Sequence, residues 1–151
     1  MIVDVQVDIK GSRAAVWAIM TDIAHAADLI KGIDKVEILE QPASGLVGLK
    51  WRETRMLFGK PATADKWITE AVENEFYTTR AEDGGFVFLS TMRIAEGAGS
   101  VTLSSVHDSA PQTIGARIMS VPMGLFFKGV ARKALIADLE DIKGIVEGGG
   151  R

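Results

Sequence analysis

Between residues 33 and 107, turn-forming clusters interrupt the chain at intervals of roughly 8–12 residues, and the segments between them alternate apolar and polar side chains. This pattern predicts six short strands over 33–40, 47–58, 62–72, 76–81, 86–95 and 100–107. The turns fall at Pro42, Ser44 and Gly45, at Gly59-Lys60-Pro61, at Glu73-Asn74-Glu75, at Asp83-Gly84 and at Gly97-Ala98-Gly99. Asp-Gly is the strongest hairpin signal among them, because both residues tolerate the positive φ angles of a two-residue turn. Short turns between successive strands imply an antiparallel meander.

The flanks complete the pattern. Val3, Val5, Val7 and Ile9 alternate with Asp4, Gln6, Asp8 and Lys10, so residues 2–10 read as a half-buried strand. Gly11 ends it and Ser12 can cap a helix over 13–20. Thr21 or Asp22 can cap a second short helix that Gly32 ends. Residues 112–147 carry an apolar stripe running from Ile114, Ile118, Val121 and Leu125 through Phe127, Ala131, Leu135, Leu139, Ile142 and Val146. Spacings of three and four make this a long amphipathic helix, with a kink or break expected at Pro122.

The expected fold class is α+β. A seven-stranded antiparallel sheet has one apolar face to cover, and the long C-terminal helix supplies the matching stripe. The sheet is expected to curl around that helix, with two short helices between strands 1 and 2. A curved sheet gripping one helix leaves a gap, and ligand cavities typically hold roughly 300–1,000 Å³. A length of 151 residues suits a single domain over 1–151.

Composition removes several function classes. The net charge of −3 argues against a nucleic-acid partner, which would need a basic patch. With no cysteine, thiol catalysis, disulfides and Cys-ligated zinc are excluded. The opening MIVDVQVDIKG alternates like a strand and does not read as a signal peptide. No apolar run approaches the ~20 residues of a membrane span. A cytoplasmic location is therefore expected. Neither a G-x-S-x-G elbow, a P-loop nor a dinucleotide fingerprint occurs, and no cofactor or metal is expected.

Three segments carry a resemblance. They are VDIKGSRAAVWAIMTDIAHAADLIKGIDKVEILE at 7–40, GLKWRETRMLFGK at 48–60 and KGVARKALIADLEDIKGIVE at 128–147. Together they resemble the START-like (SRPBCC) superfamily, which includes Bet v 1-type proteins, polyketide cyclase/dehydrases and coenzyme Q-binding proteins. The resemblance covers nearly the whole chain and implies a helix-grip fold with an internal cavity. It implies binding or transport of a hydrophobic small molecule such as a lipid, quinone or polyketide. The alternative is a polyketide cyclase/dehydratase-like enzyme using the same cavity. Edge strands in this fold can pair, so a homodimer is possible.

The candidate site residues follow from alternation. Trp51, Glu53, Arg55 and Leu57 share one face of their strand, while Lys50, Arg52 and Thr54 suit water. Glu53 and Arg55 are thereby assigned inward. They either orient a ligand's head group or satisfy one another, and the second role is preferred because ion pairs near solvated strand ends are common. Phe88, Ser90 and Met92 are inward candidates on 86–95, alongside Phe86 and Ile94. Leu103 and His107 follow the apolar face of 100–107, with His107 weighed as a general base against a simple strand-end residue. Met119, Met123 and Phe127 recur at fours along the long helix and are candidates for the ligand wall. Asp22 and His25 lie three apart, too few for a metal site. Glu53, Arg55 and His107 are the catalytic candidates, and Trp51 joins the ligand-binding set.

Overall fold

The computed structural model describes residues 1–83 and 85–148, with side chains described throughout except at 116–127. The elements are β1 (Ile2–Ile9), α1 (Arg13–Met20), a 3-10 turn (Ile23–His25), α2 (Ala26–Leu29), β2 (Lys35–Glu40), β3 (Lys50–Leu57), β4 (Lys60–Val72), β5 (Phe76–Asp83), β6 (Phe86–Glu96), β7 (Val101–Pro111) and α3 (Ile114–Glu147). The seven strands form one antiparallel sheet in the order β1-β7-β6-β5-β4-β3-β2. The sheet curves around α3, as the helix-grip expectation requires. Register shifts at Ile38/Glu40 and at Ile68/Glu70 interrupt its pairing, and irregularities of this kind bend a sheet.

Local chemistry explains most element ends. Ser12 caps α1, its Oγ accepting from the Ala15 N–H at 3.1 Å. The second helix differs from expectation, opening as a 3-10 turn before the four-residue α2. Its N-cap Asp22 makes no capping bond, because that carboxylate accepts from the His25 ring instead. The β3–β4 hairpin turns at Phe58-Gly59, one residue earlier than expected, with φ angles of 53° and 78°. Two positive φ values in a two-residue loop suit the right-handed twist of the flanking strands. Pro61 then pairs with Met56 inside the ladder.

Strand β7 runs to Pro111 rather than ending at 107, because Asp108–Pro111 pair with Phe86–Leu89 of β6. Cross-strand bonding extends residues whose own strand preference is weak. Helix α3 continues through Pro122 as a single 34-residue element, so the expected break does not occur. Its apolar stripe does not reach Ile114, which is exposed.

The core lies under the C-terminal half of α3. Leu139, Ile142 and Val146 join Val3, Val5, Ile9, Ile94, Val101 and Leu103 of the sheet and Val16 and Met20 of α1. Charged residues on α3 cover the open edge of β1. Arg132 donates to the Asp4 carbonyl and Lys143 to the Asp8 carbonyl, while Glu147 accepts from the Lys10 N–H. Residues that look like a plain solvated helix face therefore also satisfy a sheet edge.

Candidate functional site

The register of β3 against β4 is unbroken from Lys50↔Trp67 to Leu57↔Lys60, so alternation along β3 holds throughout. Trp51 and Glu53 are buried and Arg55 is half-buried. On the opposite face, Arg52 pairs with Asp65 at 2.8 and 3.1 Å in solvent. Leu57, expected inside, is exposed because the strand end runs beyond the core.

Glu53 is not isolated. Its Oε2 accepts from Arg55 Nε and from Lys66 Nζ, both at 2.8 Å, and its Oε1 accepts a longer bond of 3.4 Å from Trp51 Nε1. Arg55 in turn donates two parallel bonds to Asp138 of α3 at 3.1 and 2.7 Å. Two carboxylates and two cations thus form one chain of ion pairs, Lys66–Glu53–Arg55–Asp138, between sheet and helix. Burial pushes the Glu53 carboxyl up, but Lys66 and Arg55 outweigh it and hold the pKa at about 2. A carboxylate held that low is a weak general base at neutral pH.

A second cluster lies on β6 and β7. Ser90 Oγ and His107 Nδ1 are 2.8 Å apart, on residues paired directly across the two strands. Phe88 stacks on the imidazole with centroids 5.8 Å apart, and Phe86 stacks on Phe88 at 6.1 Å. His107 is half-buried, and that burial is the main cause holding its pKa below the usual histidine value.

Register divides the inner face of the sheet in two. One row runs Lys66–Ala81–Phe88–Ser109 and the next runs Ile68–Thr79–Ser90–His107. These rows mix hydroxyls, an imidazole, an ammonium and a small alanine. The rows toward the other end carry Tyr77, Met92, the buried Ser105, Ile94, Val101, Leu103, Val5 and Ile9, and most of these pack in the core with the C-terminal half of α3. Tyr77 and Arg80 fall on opposite faces of β5, and Tyr77 is the one that points inward, its hydroxyl donating to the Met20 carbonyl at 3.1 Å. Burial, then Glu53 and Asp138, push that phenol up.

The structure therefore brings Trp51, Glu53 and Arg55 together as one group, and Phe88, Ser90 and His107 as another. Met92 is half-buried between Tyr77 and Ser105. Leu103 is fully enclosed in the aliphatic half, where it packs. The side chains of Met119, Met123 and Phe127 lie outside the described residues. Asp22 and His25 bond one another at 2.8 Å in an exposed position. Sequence reasoning missed Lys66, Thr79 and Asp138. Alternation of Lys66 with the buried Ile68 carried the signal for the first, whereas nothing local marks Asp138 as the partner of Arg55. Among the described residues, two shallow clefts of about 370 and 430 Å³ flank α3, one against β1 and one beside Leu29 and Lys31, and neither includes a candidate residue.

Comparison with known proteins agrees with this architecture. The family model described as polyketide cyclase / dehydrase and lipid transport matches residues 1–142. No curated protein sequence matches the chain. Among solved structures, TTHA0849 from Thermus thermophilus superposes with a TM-score of 0.82 at 11% identity, covering 100% of both chains. A START superfamily protein from Mycobacterium smegmatis gives 0.79 at 19% identity, covering 97% of each. The Zhui aromatase/cyclase from Streptomyces sp. R1128 gives 0.80 at 18% identity, covering 100% of this chain and 96% of the other. At these identities the likeness is one of fold.

Proposed function

The chain belongs to the polyketide cyclase/dehydrase and lipid-transport family, and on that premise we propose that it binds or carries a hydrophobic small molecule between the sheet and α3. One observation supports this above the others. The inner face of the sheet turns from aliphatic to polar within two residue rows, and the polar rows hold Lys66, Thr79, Ser90 and His107. A ligand with an apolar body and one polar end matches such a face. Phe88 and Met92 supply apolar contact, and Ser90 and His107 meet the polar end. Trp51, Glu53 and Arg55 hold the wall behind it.

The test is native mass spectrometry of gently purified protein, followed by organic extraction and identification of what is released. A stoichiometric hydrophobic passenger is expected. A protein that is empty and also fails to bind the neutral apolar dye N-phenyl-1-naphthylamine overturns the proposal.

The Ser90–His107 pair supports a second function, proton transfer in a cyclase/dehydratase-like reaction. An imidazole kept neutral by burial accepts a proton at physiological pH, and the serine hydroxyl orients it. If this holds, His107→Gln removes turnover of a poly-β-ketone substrate while dye binding persists. Unchanged turnover in that variant rejects the enzyme.

A further inference from the structure

We propose that Lys66 receives an oxyanion at the polar end of the ligand, so that the protein prefers hydrophobic acids, phenolates or enolates over neutral molecules of the same shape. This rests on the binding function above and names its ligand class.

The four charges of the network, of which Glu53 is buried and the others half-buried, differ in how far their hydrogen-bonding capacity is used. Glu53 accepts from three donors, Asp138 accepts from the two terminal guanidinium nitrogens of Arg55, and Arg55 is spread over both carboxylates. Lys66 has three N–H donors and, among the described residues, spends one, on Glu53. Its side chain keeps 29% of its exposure, against 23% for Arg55 and 8% for Glu53. Arg55 also leaves two of its five N–H donors unspent, but its charge is shared between two carboxylates, whereas the ammonium of Lys66 bonds one.

Apart from Glu53, which bonds the ammonium, the residues that follow it across the sheet are uncharged or neutral at physiological pH. The neighbour of Lys66 on β5 is the buried Ala81, which carries only a methyl, followed by Phe88 on β6. The adjoining row holds the hydroxyls of Thr79 and Ser90 and the His107 ring. No residue of these two rows is a carboxylate. An oxyanion over Ala81 would meet Lys66 on one side and neutral donors on the other. The charge of Lys66 is also felt at His107, where it adds to the effect of burial. Arg55, locked between two carboxylates, is by contrast a positioning residue.

The experiment displaces N-phenyl-1-naphthylamine with decanoate or with decanol, which share a chain length and differ in charge. Decanoate is expected to displace the dye from the wild type at about tenfold lower concentration, the scale of one charge-assisted hydrogen bond. Lys66→Met should erase that preference and Lys66→Arg should keep it, each preference being read as a ratio against that variant's own affinity for the dye. In a parallel measurement on the wild type, decanoate but not decanol should protect Lys66 from reductive methylation, read by peptide mapping. Dye binding without a preference for decanoate, a preference that survives Lys66→Met, or absence of protection overturns this inference alone. A wild type that excludes the dye removes the binding function and this inference with it.

Discussion

Arg55 of β3 grips Asp138 of α3, 83 positions along the chain, through two parallel hydrogen bonds of 3.1 and 2.7 Å. The same guanidinium holds Glu53 at 2.8 Å. Gly32 packs against the pair, so closely that a β-carbon there would lie 3.0 Å from Arg55 Nη1 and 3.4 Å from Asp138 Oδ1. The C-terminal half of α3 is thus held to the sheet by an ion pair at Asp138 and by aliphatic packing at Leu139, Ile142 and Val146.

Removing the guanidinium should therefore act on stability first. Arg55→Ala leaves Asp138 without a partner among the described residues. It is expected to cost about 3–5 kcal/mol, the usual penalty for stripping one member from a buried pair. Urea denaturation measures this directly. An Arg55→Ala protein of wild-type stability that nonetheless loses dye affinity would show instead that the arginine serves the ligand.

Acid should weaken the fold through Glu53. Its folded-state pKa lies near 2, below the ordinary value of 4.5. Stability from this group is complete above pH 4.5 and is lost as pH falls from there toward about 2. The depression corresponds to about 3 kcal/mol. Glu53→Gln should flatten the pH dependence of the urea midpoint across that window. A variant curve parallel to the wild type would reject the assignment.

The two histidines should titrate in opposite directions from the ordinary value of 6.5. His25 is held above it by its hydrogen bond to Asp22, and His107 is held below it by burial. For His107 the folded state resists protonation, so its contribution is present above pH 6.5 and is lost as pH falls further. A carbon–proton NMR titration resolves both rings, with His107→Gln to assign them. Two midpoints on the same side of 6.5 would contradict the environments described.

Gly11 should not tolerate a side chain. A β-carbon there would lie 2.6 Å from the Val146 Cγ1, and valine is stiff at χ1. Gly11→Ala is expected to cost about 1–3 kcal/mol by overpacking. Gly11→Ala combined with Val146→Ala should recover part of that loss, which thermal denaturation of the single and double variants would reveal.

Much of this molecule was legible along the chain. Alternation placed seven strands within a few residues of their ends, and it placed Trp51 and Glu53 on the buried face of β3 without any knowledge of neighbours. Boundaries slipped where a partner strand decided them, as at Asp108–Pro111, or where backbone geometry did, as at Phe58-Gly59. The apolar stripe of α3 identified Leu139, Ile142 and Val146 as core but overreached to Ile114, because amphipathic spacing says nothing about where the sheet beneath the helix ends.

The site divides the same way. Periodicity is a local property, so the sequence by itself determined the element order, the strand faces and the need for a helix to cover the sheet. Pairing between distant charges is not local. Asp138 sits in a run of mixed charge, where nothing distinguishes a solvated carboxylate from the one that Arg55 reaches. Lys66 meets Glu53, and Ser90 meets His107, only because the antiparallel register sets those residues on neighbouring strands of one concave face. That proximity, and the desolvation that gives these contacts their strength, arises from tertiary structure alone.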